Sequence, residues 1–331
     1  MSGISVALCT YNGEKYIREQ IESIISQTLL PGEIILCDDA SSDDTFIIAE
    51  SLLKESGIPY KAVKNKENIG YNKTFEQALG LASNDYIALC DQDDVWFNNK
   101  LEVLYNAIKK QEEIHGMECP ILVFSDAIVA NEALEIIHPS YMRMQKLHPQ
   151  KTAGKIYSLC INNVVIGITS LINRSLAKLA LPFPENILNH DWWMAVLSSA
   201  KGKLVYIDES LCYYRQHGKN VIGANLYHDI GWASYIIERF KKRQSVAEYL
   251  KDLKYELYMR YRPHMAKRVA HIEGLYKITG DNKLLRLCDY LKNGGISSAI
   301  GCMLMGALPP TWQQKVFFLA SIVKKELDNN K

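Results

Sequence analysis

Along the first 90 residues, short apolar runs alternate with segments of helical period, and this alternation restricts the fold more than any other feature of the chain. Residues 4–9, "ISVALC", are β-branched and apolar; "TYNG" interrupts them, and residues 14–26 carry Ile17, Ile21, Ile24 and Ile25 at helical spacing. The pattern repeats with a strand at 34–37, a polar loop at 38–43 and a helix at 45–53. "YKAVKN" is a third strand, "NIGYNKTFEQALGLA" a glycine turn and helix, and "DYIALC" a fourth strand. Strands separated by helices need crossover connections, and runs without a polar face suit strands covered on both sides. The expectation is an α/β fold with a mostly parallel central sheet and flanking helices, Rossmann-like in layout.

Open sheets of this kind bind ligands beyond the carboxyl ends of their strands. Polar residues collect at those places: Thr10, Tyr11, Asn12 and Glu14 after the first strand, Asp38 to Asp43 after the second, Asn68 and Asn72 after the third, and Asp91, Gln92, Asp93 and Asp94 after the fourth. Taken singly, such residues form turns; four polar loops on one edge form a pocket. Carboxylates as close as Asp91, Asp93 and Asp94 repel unless a proton or a partner intervenes, and Mg²⁺ or Mn²⁺ takes oxygen ligands of this kind. A turn and a cation site both remain open on these residues alone. No G-x-G-x-x-G follows the first strand and no G-x-x-x-x-G-K-[ST] occurs, so dinucleotide and P-loop readings lose their main support.

The 331 residues are 48% hydrophobic and 23% charged, enough for a sizeable core in one or two domains. The net charge of +1 conceals an asymmetry, because beyond residue 230 eighteen Lys and Arg face nine Asp and Glu. The eight cysteines include no C-x-x-C pair and several lie in apolar runs, which is the usage of buried free thiols. "MSGISVALCTYNG" holds no secretory signal, and a cytoplasmic protein is expected. Residues 315–325, "KVFFLASIVKK", are too short to span a membrane; a core-facing helix or a surface-lying one fits them.

"VALCTYNGEKYIREQIESIISQT", "EIILCDDASSDDT", "ENIGYNKTFEQAL", "DYIALCDQDDVW", "NHDWWMAVLSSA" and "YYRQHGKNVIGA" follow one another over about residues 4–224. In these motifs the chain resembles the inverting family 2 glycosyltransferases of the nucleotide-sugar-binding A-type fold, in particular bacterial rhamnosyltransferases of surface polysaccharide synthesis. The resemblance implies that Thr10, Tyr11, Asn12 and Glu14 hold the nucleotide, with the aromatic ring against the base. It implies that Asp39 bonds the base edge, with Asp38 as its neighbour; the residue type of Asp38 points instead to capping the following helix with Ser41 and Ser42. Asp91 and Asp93 match the family's D-x-D element, one carboxylate meeting the ribose and the other a divalent metal (Mn or Mg) that bridges to the donor diphosphate. Asp191 matches the catalytic base, preceded by His190 where many relatives have Glu. A base on the face opposite the leaving group is what inversion requires. Asp191 equally caps the helix that begins at "WWMAVLSSA". Arg215, His217, Lys219 and Asn220 would clamp the diphosphate, with His217 as an added metal ligand.

The expected domains are a nucleotide-sugar-binding transferase domain over residues 1–227 and a helical C-terminal region over 228–331. Between 232 and 261, seven Trp, Tyr and Phe interleave with Lys and Arg. An appendix packed on the catalytic domain, a homodimer contact, and peripheral docking at the inner face of the plasma membrane all suit this region; the acidic pocket edge argues against nucleic acid. Processive relatives carry Q-x-x-R-W and spanning helices, and neither occurs here. The resemblance implies transfer of a sugar, L-rhamnose from dTDP-rhamnose first among candidates, to a lipid-linked saccharide acceptor. Another dTDP- or UDP-sugar, a nucleotidyltransferase and a non-catalytic nucleotide-sugar-binding module stand as alternatives.

Overall fold

The computed structural model describes residues 2–218 and 265–309, with Lys315, Phe318, Leu319 and Ile322 beyond them. Lys219, Asn220, the aromatic and basic run at 232–261 and most of 315–325 lie outside the described residues. The strands are β1 (Ile4–Thr10), β2 (Glu33–Asp38), β3 (Tyr60–Lys64), β4 (Tyr86–Cys90), β5 (Val95–Trp96), β6 (Ile121–Ala130), β7 (Ile136–His138), β8 (Ser170–Asn173) and β9 (Lys203–Arg215). The helices that place the site are α1 (Ile17–Ile25), α2 (Thr45–Ser56), α3 (Tyr71–Leu81), α4 (Lys100–His115) and, as α5, His190–Lys201.

The strands form one sheet in the order β3-β2-β1-β4-β8-β6-β9-β5, with β7 paired to β6. The first four strands of the chain are mutually parallel, as the crossover pattern requires. β1 and β2 are buried at every position, whereas the edge strand β3 is half covered and shows Lys61 and Lys64 to solvent. The rest of the sheet is mixed: β8 runs antiparallel to both β4 and β6, and β9 parallel to β6. Helices join these later strands as well, α4 between β5 and β6 and Arg174–Ala180 with α5 between β8 and β9, so the sheet keeps the α/β layout with flanking helices.

Register brings the loops together. Thr10 lies opposite Asp38, and Leu8 opposite Cys90, so β1, β2 and β4 all release their chains on one edge. β5 pairs antiparallel with Tyr213 and Cys212 of β9, which carries the end of the longest strand to the acidic turn after β4.

The described chain falls into two compact units. One contains Met1–Tyr141, Val165–Phe183 and the residues from Asn189 to the end of β9; the other contains Met142–Val164, Pro184–Leu188 and the C-terminal helices Met265–Thr279, Asn282–Asn293 and Gly295–Leu304. Within the second unit the Tyr157 hydroxyl donates to Asp281 at 2.7 Å and the Ser158 hydroxyl to the Leu308 carbonyl at 2.7 Å. Among the described residues, no helix is long and apolar enough to cross a membrane.

Candidate functional site

The first two loops hold each other. Thr10 donates from Oγ1 to Asp38 Oδ2 at 2.8 Å, and Ser41 closes the turn on the same carboxylate through its N–H at 2.8 Å and its hydroxyl at 2.6 Å. Asp38 is therefore the turn-former of the loop that opens α2. Asn12 sits at a φ of 50°, in the left-handed region that Asn tolerates, and its Oδ1 accepts the Ser42 N–H at 2.9 Å. Glu14 accepts the Asp44 N–H at 3.2 Å. The side chains of Asn12 and Glu14, expected at the nucleotide, thus bond the neighbouring loop. What this brace presents to solvent is the Tyr11 ring, 47% exposed.

Gln92 fixes the backbone beneath that ring. Its Oε1 accepts the Tyr11 N–H at 2.7 Å and its Nε2 donates to the Tyr11 carbonyl at 2.8 Å, the two-point match of an amide with a peptide. A Cβ at Gly13 would lie 2.2 Å from Gln92 Cδ, so only glycine lets this clamp close. Gln92 thus holds the Tyr11 backbone in place.

Asp39 organises the third loop. Its carboxylate accepts the Ile69 and Gly70 N–H groups at 2.8 and 2.9 Å and the Asn65 side-chain amide at 3.1 Å, while Asn68 reaches the Asp39 carbonyl at 3.4 Å. Three donors leave about one of a carboxylate's four lone-pair positions for a base edge. Asn72, at the start of α3, accepts the His190 N–H at 2.8 Å.

The acidic turn after β4 is built differently. Asp93 Oδ2 lies 2.9 Å from His217 Nε2, whose ring stacks on Tyr16 at 4.6 Å. Asp94 is buried; Oδ1 accepts the Arg215 N–H at 3.0 Å, and Oδ2 has no hydrogen-bond partner. Burial, reinforced by Asp93 and Asp91, raises the Asp94 carboxyl well above the usual range. Burial, then Asp93 and then Asp191, push Asp91 up to about 8. The cluster carries repulsion that its own hydrogen bonds do not offset.

Arg215 is a correction to the expected diphosphate clamp. Its Nε donates to the Asp93 carbonyl at 2.8 Å, one terminal nitrogen to the Glu132 carbonyl at 2.6 Å, and the other pairs with Glu19. The guanidinium is buried over the Tyr16 ring, 5.1 Å from its centroid. These contacts tie the acidic turn to α1 and to the turn after β6.

Asp191 stands on the first turn of α5, 7% exposed. Oδ1 accepts the Trp192 N–H at 2.6 Å and Oδ2 accepts the Gly167 N–H at 3.1 Å, so the carboxylate is aimed from two sides. Asn72 covers the His190 N–H and the Asn189 carbonyl accepts that of Trp193, completing the helix start. His190 is buried against Phe75, with ring centroids 3.8 Å apart, and neither ring nitrogen has a partner; burial lowers its pKa to about 3. The neighbour of Asp191 is thus a neutral imidazole.

Residues 5–176 match the sequence profile of Glycosyl transferase family 2, more than half of the chain. The chain belongs to glycosyl transferase family 2. The match ends before α5, so Asp191 and the Arg215 to His217 stretch lie beyond it. Among similar proteins, the dTDP-rhamnosyl transferase RfbG of Shigella flexneri is 28% identical over 66% of this chain and 74% of its own length. The UDP-Glc:alpha-D-GlcNAc-diphosphoundecaprenol beta-1,3-glucosyltransferase WfaP of Escherichia coli is 27% identical over 70% of this chain and 83% of its own. The crystal structure of S. aureus TarS 1-349 in complex with UDP superposes with a TM-score of 0.52 at 15% identity, covering 98% of this chain and 91% of that one. That likeness is one of fold, and it agrees with the α/β layout expected from the sequence.

For a family 2 glycosyltransferase, the metal question rests on Asp93. Among the described residues, no three His, Cys, Asp or Glu side chains gather closely enough to hold an ion. Asp93 and His217 form a pair, and Asp91 does not complete a triad around it. The Asp93 carboxylate fits an ion that takes its remaining places from substrate phosphates and water, which is how Mg²⁺ is usually held.

The sequence reading missed three groups. Lys100 is fully buried, donates to the Ile168 carbonyl and lies 3.4 Å over the Trp96 ring; burial lowers its pKa to about 8, against the pull of Cys212, Cys90, Asp94 and Asp91. Glu19 and Glu132 anchor Arg215 from α1 and from the turn after β6. A lysine at a helix start carries no sign of burial in its sequence, and Glu19 reads as one more polar residue of an amphipathic helix.

Proposed function

We propose that this chain is an inverting, metal-dependent glycosyltransferase that moves a sugar from a nucleoside-diphosphate donor to a lipid-linked saccharide in surface polysaccharide synthesis, with L-rhamnose from dTDP-rhamnose as the favoured donor. The observation that carries the reading is the convergence of Asp91, Asp93 and Asp191 on one edge of the sheet, close enough that Asp93 and Asp191 both raise the pKa of Asp91. Carboxylates close enough to raise one another's pKa suit a partner of opposite charge.

Asp93, with His217 beside it, would hold the divalent ion, which when bound neutralises charge on the leaving nucleoside diphosphate. Tyr11 offers its ring to the base, held in place by Gln92. Asp191 takes the proton from the acceptor hydroxyl as that oxygen attacks the anomeric carbon, and the bond to the diphosphate breaks on the opposite face. The Gly167 and Trp192 N–H groups keep the Asp191 carboxylate oriented for this transfer.

The name of the Shigella relative supports dTDP-rhamnose, and that of the Escherichia relative supports UDP-glucose and a diphosphoundecaprenol-linked acceptor. The deciding measurement is nucleoside diphosphate release over dTDP-rhamnose, UDP-glucose, UDP-galactose, UDP-GlcNAc and GDP-mannose, with Mn²⁺, Mg²⁺ or chelator, with and without lipid-linked acceptor extract. Acceptor-dependent release from dTDP-rhamnose that chelator abolishes is the expected result. Release from a UDP-sugar alone would replace the donor, and donor binding without release under every condition would return the chain to a binding module.

A further inference from the structure

Far along the chain, the helix Gly295–Leu304 reverses the usual placement of its side chains. Its buried residues are small, namely Gly295, Ser298, Ala299, Gly301 and Cys302. Its large apolar residues, Ile296, Ile300, Met303 and Leu304, are 62, 51, 51 and 84% exposed. Spacings of four, three and one put these side chains on one face. The inner face is committed to close packing, since a Cβ at Gly301 would lie 2.3 Å from Tyr290 Cζ. Rotating the helix to bury the large residues would bring them where only a glycine fits.

No residue of this helix is charged. A solvated helix face is normally polar, and a contiguous apolar face without charge marks a surface that something covers. Phe318 and Ile322 of the C-terminal segment are themselves buried while the stripe stays exposed. A second copy of the chain is a poor cover, because four side chains on one helix of 10 residues offer about half of the roughly 800 Å² per partner of a stable interface. Charge favours a different cover. Residues 265–304 carry six Lys and Arg against three Asp and Glu, and Lys283 and Arg286 are exposed on the preceding helix Asn282–Asn293, where Lys292 pairs with Glu273.

We infer that Gly295–Leu304 is a shallow membrane-docking helix that lays Ile296, Ile300, Met303 and Leu304 into an anionic lipid bilayer. Ten residues extend about 15 Å, half of a hydrocarbon core of about 30 Å, so the helix lies in the plane of the interface. Apolar insertion and the attraction of basic side chains to anionic headgroups act together, each weak by itself. The docking needs neither donor nor acceptor, and it stands or falls apart from the proposed transfer.

The test is co-sedimentation of the full chain with vesicles of phosphatidylglycerol and phosphatidylcholine, or of phosphatidylcholine alone, beside sedimentation velocity in the absence of lipid. Wild type is expected to bind the anionic vesicles and to bind neutral ones more weakly. The pair Ile296→Ser with Ile300→Ser is expected to weaken binding by more than about tenfold. Lys283→Glu with Arg286→Glu is expected to lower binding to anionic vesicles while leaving neutral ones unchanged. All four positions are exposed, and an unchanged thermal melt shows that each variant is folded. Wild type that ignores both vesicles, an isoleucine variant that binds as wild type does, or a lipid-independent dimer that the isoleucine pair dissociates would each overturn the inference.

Discussion

Two pairs of neighbouring carboxylates stand at the ends of β2 and β4, the strands on either side of β1, and differ in what surrounds them. Asp38 and Asp39, after β2, accept hydrogen bonds from Thr10, Ser41, Asn65, Ile69 and Gly70. Asp93 and Asp94, after β4, sit beside Asp91 with one oxygen of Asp94 unpartnered, and the carboxyls of Asp91 and Asp94 are raised by burial and by their neighbours. The first pair spends its charge on the fold. The second spends less, with Asp93 facing the His217 ring and Asp94 accepting the Arg215 N–H, and carboxyls raised by burial and by one another are where a cation has most to gain.

Asp191 sharpens the contrast by placing an aimed carboxylate beside this second group. Asp191→Asn is expected to lower turnover by about 10²–10⁴-fold while nucleotide affinity, read by calorimetry, stays within a few-fold. Turnover retained by this variant would move the base elsewhere. Asp93→Ala is expected to cost about 10²-fold in turnover and to remove the dependence of nucleotide binding on Mn²⁺. A metal titration that looks the same in wild type and variant would break the comparison at its centre.

Stability tests the other side. Asp38→Ala strands the donors of Thr10 and Ser41 in a buried turn and is expected to cost about 2–4 kcal/mol in chemical denaturation. Asp94→Asn removes a carboxyl that burial disfavours, and its stability is expected within about 1 kcal/mol of wild type or above it. Equal losses in the two variants would mean that the two strand ends are not different in kind.

His190 carries the same reasoning to a base. Its folded pKa of about 3 lies below the ordinary 6.5, so the unfolded chain binds the proton more readily. The stability it contributes is complete above pH 6.5 and is lost as pH falls toward 3, amounting to about 2 kcal/mol by pH 5. His190→Phe is expected to flatten the denaturation profile between pH 7 and 5 by about that amount. His271, in the second unit and lowered in the same way by burial, keeps its own acid sensitivity in that variant.

The alternation of residues 4–90 already contained the parallel half of the sheet, because fully apolar strands joined by helical segments have few other ways to be covered. The same reading named the four loops that the register sets on one edge. It expected Asp38 to cap α2, whereas Asp38 closes the turn on Ser41 and Asp44 stands at the start of that helix. The mixed half was less legible: β8 is four residues long and β5 two, too short for a period to show. Residue types in the site were legible, but their employment was not. Asn12, Glu14 and Asn72 look like ligand-binding amides and acids in sequence, and each holds another loop.

What the sequence determined by itself was the family, the parallel core and the set of carboxylates at its rim, since these depend on local period and on motifs read in order. Tertiary structure alone decided how each charge is used. Arg215 lies 121 residues from Asp94 and 196 from Glu19, and whether a guanidinium meets a diphosphate or a glutamate depends on which strand ends beside which. Burial decided the rest, because the same Asp is a turn-former when donors surround it and a cation's partner when they do not.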